Sequence, residues 1–201
     1  MNNRNPISIA LAAVAALVLL AIGVVVLTAG GEEASVAALE VADAVEVEGS
    51  PLPPFSLPDP AVGMTAPVVA SQTATGTDVE LGRAGEPTVI GFVAHWCPHC
   101  QQELPQLVDW VGNGIDGVDV VLVSTAVDEN AENHPPSAWI AREEWDGTVV
   151  VDDVRRTVAG SFGLTGFPFW VALDANGVVV ARSAGQINEA TFDSLVAAAA
   201  E

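Results

Sequence analysis

Residues 89–100 have the sequence VIGFVAHWCPHC, in which a short uncharged run leads directly into a Cys-X-X-Cys segment. An uncharged run of this length is typical of a strand that is covered on both faces. Beyond Pro98, apolar side chains recur with the spacing of one helix face, at Leu104, Leu107, Val108 and Val111. The stretch therefore predicts a buried strand over residues 88–94 and a helix over residues 98–111, with both cysteines at the junction.

The chain on either side of this stretch alternates short apolar runs with helical patterns. Before it, residues 66–70 and 77–81 are joined by a Thr/Gly-rich turn and predict a hairpin. After it, strands are predicted at residues 118–124, 148–151, 169–173 and 178–183, and helices at 137–145, at 153–162 and after the capping residue Asn188. Strands that alternate with helices and end in a hairpin and a helix indicate an α/β sheet of mixed direction.

Cys97 and Cys100 are the only cysteines, and three kinds of site use such a pair. A structural disulfide would close too small a loop to remove much entropy from the unfolded chain. A structural zinc site usually needs two such pairs, and the chain has neither a second pair nor histidines at zinc-finger spacing. We therefore expect a redox-active dithiol, with no metal ion and no cofactor.

The position of the pair at a helix start suggests different roles for its two members. Unpaired N–H groups and the positive end of the helix dipole stabilise a thiolate at the first position, so Cys97 is the candidate nucleophile. Cys100, one turn into the helix, can attack the mixed disulfide that Cys97 forms with a client. Pro98 suits the first helical turn, and His99 can add positive charge beside the thiols when it is protonated.

Residues 7–28 form an uncharged, apolar stretch that is long enough to cross a bilayer as one helix. Residues 1–6 carry a single charge, on Arg4, and an acidic stretch follows residue 28, so the positive-inside rule predicts a cytoplasmic tail at 1–6. A cleaved signal peptide is the alternative, although its apolar region usually has about 7–15 residues. We expect an uncleaved single-pass anchor in the cell membrane, with the rest of the chain extracytoplasmic.

Residues 29–62 contain acidic side chains, no basic ones, and five prolines between Pro51 and Pro60. Proline lacks an N–H group and biases the preceding residue towards extended structure, so the proline-rich half cannot be helical. We expect a tether with an r.m.s. span of roughly 30 Å, followed by a folded domain over residues 63–201.

The formal net charge of the chain is −20, and all six of its basic residues are arginines. Such a balance argues against nucleic acid and against anionic lipid surfaces as binding partners. The expected contact with the membrane is therefore the apolar helix itself.

From about residue 63 to the C-terminus, the sequence resembles the thioredoxin superfamily. The matching segments are the strand at 89–94, the motif Trp96-Cys97-Pro98-His99-Cys100, Pro105 in the following helix, and Gly166-Phe167-Pro168 before the last hairpin. The resemblance implies a mixed central sheet flanked by helices, and the place of Trp96 beside Cys97 predicts that this side chain is part of the active-site surface. The resemblance also implies that Pro168 is cis and packs beside the cysteines, and that Phe167 binds the client backbone.

The early hairpin and the segment Glu103-Leu104-Pro105 are most similar to the TlpA/ResA branch of this superfamily. That resemblance implies a membrane-tethered, extracytoplasmic thiol–disulfide oxidoreductase, often a reductant in cytochrome c maturation. Its partners would be protein thiol and disulfide clients and a membrane redox partner that recycles the site. A thioredoxin-fold copper-delivery protein is an alternative, since soft thiolates favour copper(I).

Two departures from the thioredoxin pattern leave the direction of electron flow open. The buried carboxylate that thioredoxins carry six residues before the first cysteine is replaced by Gly91. The Pro98-His99 pair resembles strongly oxidising DsbA-type proteins, in which a stabilised thiolate makes the disulfide a better oxidant. A DsbA-like thiol oxidase is therefore a further alternative.

Overall fold

The computed structural model describes residues 38–112 and 115–201. The predicted tail at 1–6, the anchor at 7–28 and the first part of the tether lie outside these ranges. Within them, no helix combines the length and the apolar character needed to cross a bilayer.

The described residues form one eight-stranded sheet and four helices. The strands are β1 (Glu46–Glu48), β2 (Val68–Thr73), β3 (Asp78–Leu81), β4 (Thr88–Val93), β5 (Asp119–Ser124), β6 (Val149–Val151), β7 (Phe169–Leu173) and β8 (Val179–Ala184). The helices are α1 (Pro98–Val111), α2 (Pro136–Arg142), α3 (Thr157–Ser161) and α4 (Glu189–Ala199).

The strand order is β1-β2-β6-β5-β4-β7-β8, with β3 paired to the other side of β2. The central strands β6, β5 and β4 run parallel to one another, whereas the remaining pairs are antiparallel. The sheet is therefore of mixed direction, as predicted, and the carboxyl ends of its three parallel strands lie along one edge.

The two faces of the sheet are covered by different elements. Successive side chains of β4 alternate between the faces, so that Val89 and Val93 enter one apolar cluster and Ile90 and Phe92 enter the other. Side chains of α1, α2 and α4 complete the first cluster, which also contains both cysteines. Helix α3 and residues from the stretch 52–66 complete the second.

Local sequence signals located several elements correctly. Helix α1 has the predicted bounds, and β2 and β3 form the predicted hairpin. The side chain of Asn188 accepts a hydrogen bond from Thr191 N and caps α4, as expected.

Two helices are shorter than predicted for identifiable local reasons. Helix α2 ends at Arg142, and Glu144 just beyond it has a positive φ of 63°. Helix α3 begins only at Thr157, because the Asp153 carboxylate accepts hydrogen bonds from the backbone N–H groups of Arg155 and Thr157 and forms a turn.

The start of the folded unit differs from the predicted boundary between residues 62 and 63. The compact unit begins at Ala38, and β1 pairs with β2 through the register Val47 to Val69. Leu52 is only 3 % exposed and belongs to the second apolar cluster. Residues 38–62 are therefore part of the domain rather than part of a free tether.

The proline-rich part of this segment is bound to the rest of the domain by backbone hydrogen bonds. Its residues other than proline still have N–H groups that can donate them. Leu52 N donates to Ser161 O at 2.9 Å, and Phe55 N donates to Gly163 O at 3.0 Å. The carboxylate of Asp59 also pairs with the guanidinium of Arg182, whose side chain is fully buried. Prolines excluded a helix here, as predicted, but they did not prevent packing.

Candidate active site

The two cysteines lie where β4 passes into α1. Cys97 caps the helix in an extended conformation, and its N–H group donates to Ala94 O at 2.9 Å. Its carbonyl oxygen accepts from Gln101 N at 3.0 Å, and Pro98 occupies the first helical position. The backbone therefore places the Cys97 side chain at the N-terminus of a helix of 14 residues, where the helix dipole favours negative charge.

Both cysteines are free thiols in the first apolar cluster, with Cys97 at 5 % and Cys100 at 0 % exposure. Burial raises the pKa of the Cys100 thiol far above its ordinary value, and a hydrogen bond with Cys97 and the charge of Glu103 raise it further. A backbone hydrogen bond with Ala94 opposes this shift. Cys100 is therefore held as a neutral thiol next to Cys97, and the proton that it must lose before it can attack needs an acceptor.

Glu103 is a buried carboxylate beside this pair, with 2 % of its surface exposed. One oxygen accepts a hydrogen bond from Trp170 Nε1 at 3.0 Å, and the other accepts from Ile187 N. Burial raises the pKa of the Glu103 carboxyl group, although these two donors and the charge of His99 oppose the shift. A carboxyl group tuned in this way next to a thiol is a candidate proton acceptor.

The sequence alone did not single out Glu103, because thioredoxins place their carboxylate where this chain has Gly91. The structure gives the reason for that glycine. A Cβ atom at position 91 would lie 2.7 Å from the indole of Trp170, so no larger side chain fits there without a shift of the indole. The available signal was the spacing, since Glu103 lies three residues after Cys100 on the same helix face.

Phe167 and Pro168 lie at the loop before β7. The Phe167–Pro168 peptide bond is cis, in agreement with the resemblance, and Pro168 is buried. Phe167 is half-buried and packs against the apolar cluster that contains both cysteines. The structure thus places Phe167 against the cluster that contains the cysteine pair, with Pro168 next to it in the chain, while the role of both in client binding stays a prediction.

Trp96 lies next to Phe167 on the surface. The two rings meet edge to face with centroids 5.7 Å apart, and Trp96 is 39 % exposed. The indole Nε1 donates to Ala126 O at 2.7 Å, which fixes the ring over the loop that follows β5. An exposed aromatic surface with a fixed orientation therefore adjoins Cys97.

The histidines occupy different environments. His99 is exposed, as its position between the cysteines on the first helical turn suggests. His95 is buried at 1 % exposure: its Nδ1 lies 2.7 Å from Glu132 O, and its Nε2 accepts from Asp128 N. These two bonds suit a neutral imidazole with its hydrogen on Nδ1, so His95 anchors the loop after β5 instead of lying free on the surface.

Across residues 38–112 and 115–201, no group of three or more His, Cys, Asp or Glu side chains is placed to hold a metal ion. The ionisable group beside the two thiols is the buried Glu103 carboxylate, which can accept a proton.

Two curated relatives each match more than half of this chain. A methylamine utilization protein MauD of Methylobacillus flagellatus is 30 % identical over 130 residues, which cover 61 % of this chain. A thiol:disulfide interchange protein DsbE of Haemophilus influenzae is 27 % identical over 110 residues, which cover 55 % of this chain. The matched regions span 57 % of the length of each relative.

Solved structures show the same fold. StoA from Bacillus subtilis superposes with a TM-score of 0.56 and 22 % identity, covering 68 % of this chain and 99 % of that one. A putative thiol:disulfide interchange protein DsbE from Chlorobium tepidum superposes with a TM-score of 0.57 and 24 % identity. The match covers 69 % of this chain and 96 % of that one.

The Redoxin family matches residues 61–198, which include the strand, both cysteines, the buried Glu103 and the cis-proline loop. The expected thioredoxin-like fold of the TlpA/ResA type is thereby confirmed. The chain belongs to the Redoxin family.

Proposed function

We propose that this protein is a thiol–disulfide oxidoreductase that exchanges a Cys97–Cys100 disulfide with protein clients. The observation that carries the proposal is the pair of buried, free thiols at the N-terminus of α1. A structural pair needs neither a neighbouring proton acceptor nor an exposed aromatic surface. This pair has both, in Glu103 and Trp96.

In the reductive direction, the Cys97 thiolate attacks one sulfur of a client disulfide and the other client sulfur leaves as a thiolate. Cys100 then loses its proton to Glu103, and its sulfur attacks the Cys97 sulfur of the mixed disulfide. The second client thiolate leaves, and the Cys97–Cys100 disulfide forms. Two electrons pass to the client, and the oxidative direction is the reverse sequence.

The relatives support this activity class. The name of the Haemophilus relative states thiol:disulfide interchange, and its matched region includes no more than 57 % of its length. The name of the MauD relative states a process, methylamine utilization, and no chemistry. Client identity therefore has to come from experiment, and cytochrome c maturation is the process that the TlpA/ResA resemblance suggests testing first.

We further propose that residues 7–28 anchor the protein in the cell membrane, with the catalytic domain extracytoplasmic. The support is the uncharged length of that stretch and the acidic chain after it. A membrane redox partner would then recycle the disulfide at the same surface. Fusion of a reporter enzyme to the C-terminus tests the orientation, since an extracytoplasmic reporter such as alkaline phosphatase should be active.

We propose the reductive direction first, because the TlpA/ResA resemblance implies a reductant. A strong oxidant of this fold depends on a stabilised thiolate. In this chain that thiolate would be Cys97, whereas the charge of Glu103 raises the pKa of the other cysteine, Cys100. The exposed His99 favours the alternative, a DsbA-like oxidase, because its positive charge when protonated would stabilise the Cys97 thiolate.

Trapping of mixed disulfides tests the activity. Cys100→Ser should accumulate mixed disulfides with clients, because Cys97 can attack but nothing resolves the product. Cys97→Ser is the matched control and should accumulate none. Equal trapping by the two variants would contradict the assigned roles.

The reduction potential of the Cys97–Cys100 pair tests the direction. A value near about −270 mV, like that of thioredoxin, would support a reductant, and one near about −120 mV would support an oxidant. Anaerobic titration of the reduced protein with copper(I) tests the metal-delivery alternative. Tight stoichiometric binding would favour that alternative.

A further inference from the structure

A small cavity adjoins the candidate active site at Ala126, the residue that Trp96 contacts. It has a volume of about 220 Å³. Its lining residues are Val41, Ala126, Val127, Asp152, Asp153, Val154 and Arg156. Ala126 connects it to the site, because its carbonyl oxygen accepts the Trp96 indole hydrogen bond at 2.7 Å.

The sheet topology explains why the cavity and the cysteines are neighbours. Strands β4, β5 and β6 are parallel, so the segments that follow them leave the sheet along one edge. Cys97 follows β4, Ala126 follows β5, and Val154 and Arg156 follow β6. A client segment that lies across Phe167 and Trp96 would therefore continue towards this cavity.

Arg156 brings a positive charge to this edge in a strongly acidic protein. In the described part of the chain, four other arginines each lie within 4.0 Å of a carboxylate: Arg83, Arg142, Arg155 and Arg182. Arg156 is exposed, and no such ion pair involves it among these residues. Its charge is available to a ligand.

The two aspartates of the cavity are engaged elsewhere. Asp152 accepts hydrogen bonds from the Thr125 hydroxyl group and from backbone N–H groups at the start of α3. Asp153 accepts from Thr157 and pairs with Arg155. Neither carboxylate is used to neutralise Arg156.

An exposed apolar side chain accompanies this charge. Val154 is 85 % exposed, which leaves an aliphatic surface next to the cation. A cation beside apolar groups suits a polypeptide segment that carries a carboxylate and an aliphatic side chain. A simple anion would use only the first of these two features.

We propose that Arg156 and the cavity at Trp96 form a client subsite that selects an acidic side chain near the client cysteine. The proposal rests on the proposed thiol–disulfide exchange at Cys97. It adds a substrate preference, because a protein with a net charge of −20 would otherwise repel acidic client segments. Arg156 acts as a specificity-determining residue and takes no part in the exchange of electrons.

A peptide series tests this subsite with the full chain in its reduced form. Each peptide carries one central cysteine in a mixed disulfide with 2-mercaptoethanol. A single glutamate is moved one position at a time away from that cysteine on either side, and matched peptides carry glutamine there. The readout is the single-turnover rate of release of 2-mercaptoethanol or peptide thiol by an excess of reduced protein, measured at a series of protein concentrations.

At one position of the series, we expect the glutamate peptide to react about two- to fivefold faster than its glutamine partner. The preference should reside in the protein concentration that gives half of the maximal single-turnover rate, should shrink at high ionic strength, and should be absent from Arg156→Gln. Arg155→Gln is the matched control and should keep the preference, because Arg155 is already paired with Asp153. Arg156→Glu should transfer the preference to a lysine peptide.

Two different failures can be told apart with neutral 2-hydroxyethyl disulfide as the substrate. If the wild-type protein reduces neither this compound nor any peptide, the proposed function itself fails. If it reduces them all without a preference for glutamate, or if Arg155→Gln loses the preference as fully as Arg156→Gln, only the subsite is refuted.

Discussion

The carboxylate of Glu103 accepts a hydrogen bond of 3.0 Å from the indole Nε1 of Trp170 in the interior of the domain. The same indole fills the space beside Gly91, where thioredoxins carry their own carboxylate. The chain therefore places its buried acid on the helix that holds the cysteines. Trp170 occupies the space that a carboxylate side chain at position 91 would need, and it also orients the Glu103 carboxylate through its hydrogen bond.

Glu103→Gln should slow the attack of Cys100 on the mixed disulfide by about 10²-fold, because the buried proton acceptor is lost. Stopped-flow measurement of mixed-disulfide resolution provides the rate. The rate of the variant should also rise more steeply with pH than that of the wild type, since hydroxide must replace the carboxylate. A merely structural role would not change this pH profile.

Asp109→Asn is the matched control for that variant, because Asp109 lies on the same helix and is exposed. It should resolve the mixed disulfide at the wild-type rate. An unchanged rate and pH profile in folded Glu103→Gln would refute the proposed role of Glu103 as proton acceptor.

Gly91→Ala should destabilise the protein by about 1–3 kcal/mol, because its Cβ would lie 2.7 Å from the Trp170 indole in a packed core. Gly160→Ala is the control: this exposed helical glycine has open space at the Cβ position, and the substitution should stabilise by about 0.4–1 kcal/mol. Urea unfolding of both variants supplies the comparison. Equal free energies of unfolding for Gly91→Ala and wild type would show that the indole moves aside without cost.

Asp59→Asn should destabilise the protein by about 3–5 kcal/mol at neutral pH, because the fully buried Arg182 guanidinium loses its counter-charge. Burial alone would raise the pKa of Asp59, but the hydrogen bonds and charge of Arg182 outweigh it and hold that pKa below its ordinary value. A carboxyl group whose pKa is lowered by folding stabilises the folded protein at pH values above its ordinary pKa. This stabilisation is lost as the pH falls through the pKa of the folded state.

The difference in stability between wild type and Asp59→Asn should therefore shrink below about pH 3.8, the ordinary aspartate value. Urea unfolding at a series of pH values measures it. Glu80→Gln removes the exposed pair with Arg83 and should have little effect at any pH. A difference for Asp59→Asn that stays constant into the acid range would indicate that its carboxyl group is not ionised in the folded protein.

Leu52→Ala should cost about 2–5 kcal/mol, because Leu52 is 3 % exposed in the second apolar cluster. Leu57→Ala, five residues away and 84 % exposed, should change the free energy of unfolding little. Thermal or urea unfolding of the pair tests whether the proline-rich segment belongs to the folded unit. A free tether would make the two variants indistinguishable.

The sequence by itself determined the elements whose causes are local. The uncharged run at β4, the helical spacing of α1 and the capping side chain of Asn188 each act over a few residues, so their patterns can be read directly. The cysteine pair belongs to the same class, because a strand-to-helix junction places it at a helix N-terminus whatever the rest of the chain does.

Tertiary structure alone decided the partners that lie far apart in the chain. Glu103 meets Trp170 and Ile187 across 67 and 84 positions, and Arg182 meets Asp59 across 123. A hydrogen bond or ion pair at such a separation leaves no periodic pattern in one sequence, because its geometry depends on how the sheet brings distant strands together. For this reason the motif at residues 97–100 could be predicted from the sequence. The burial of Glu103 beside it and the packing of residues 38–62 against the domain were found only in the tertiary structure.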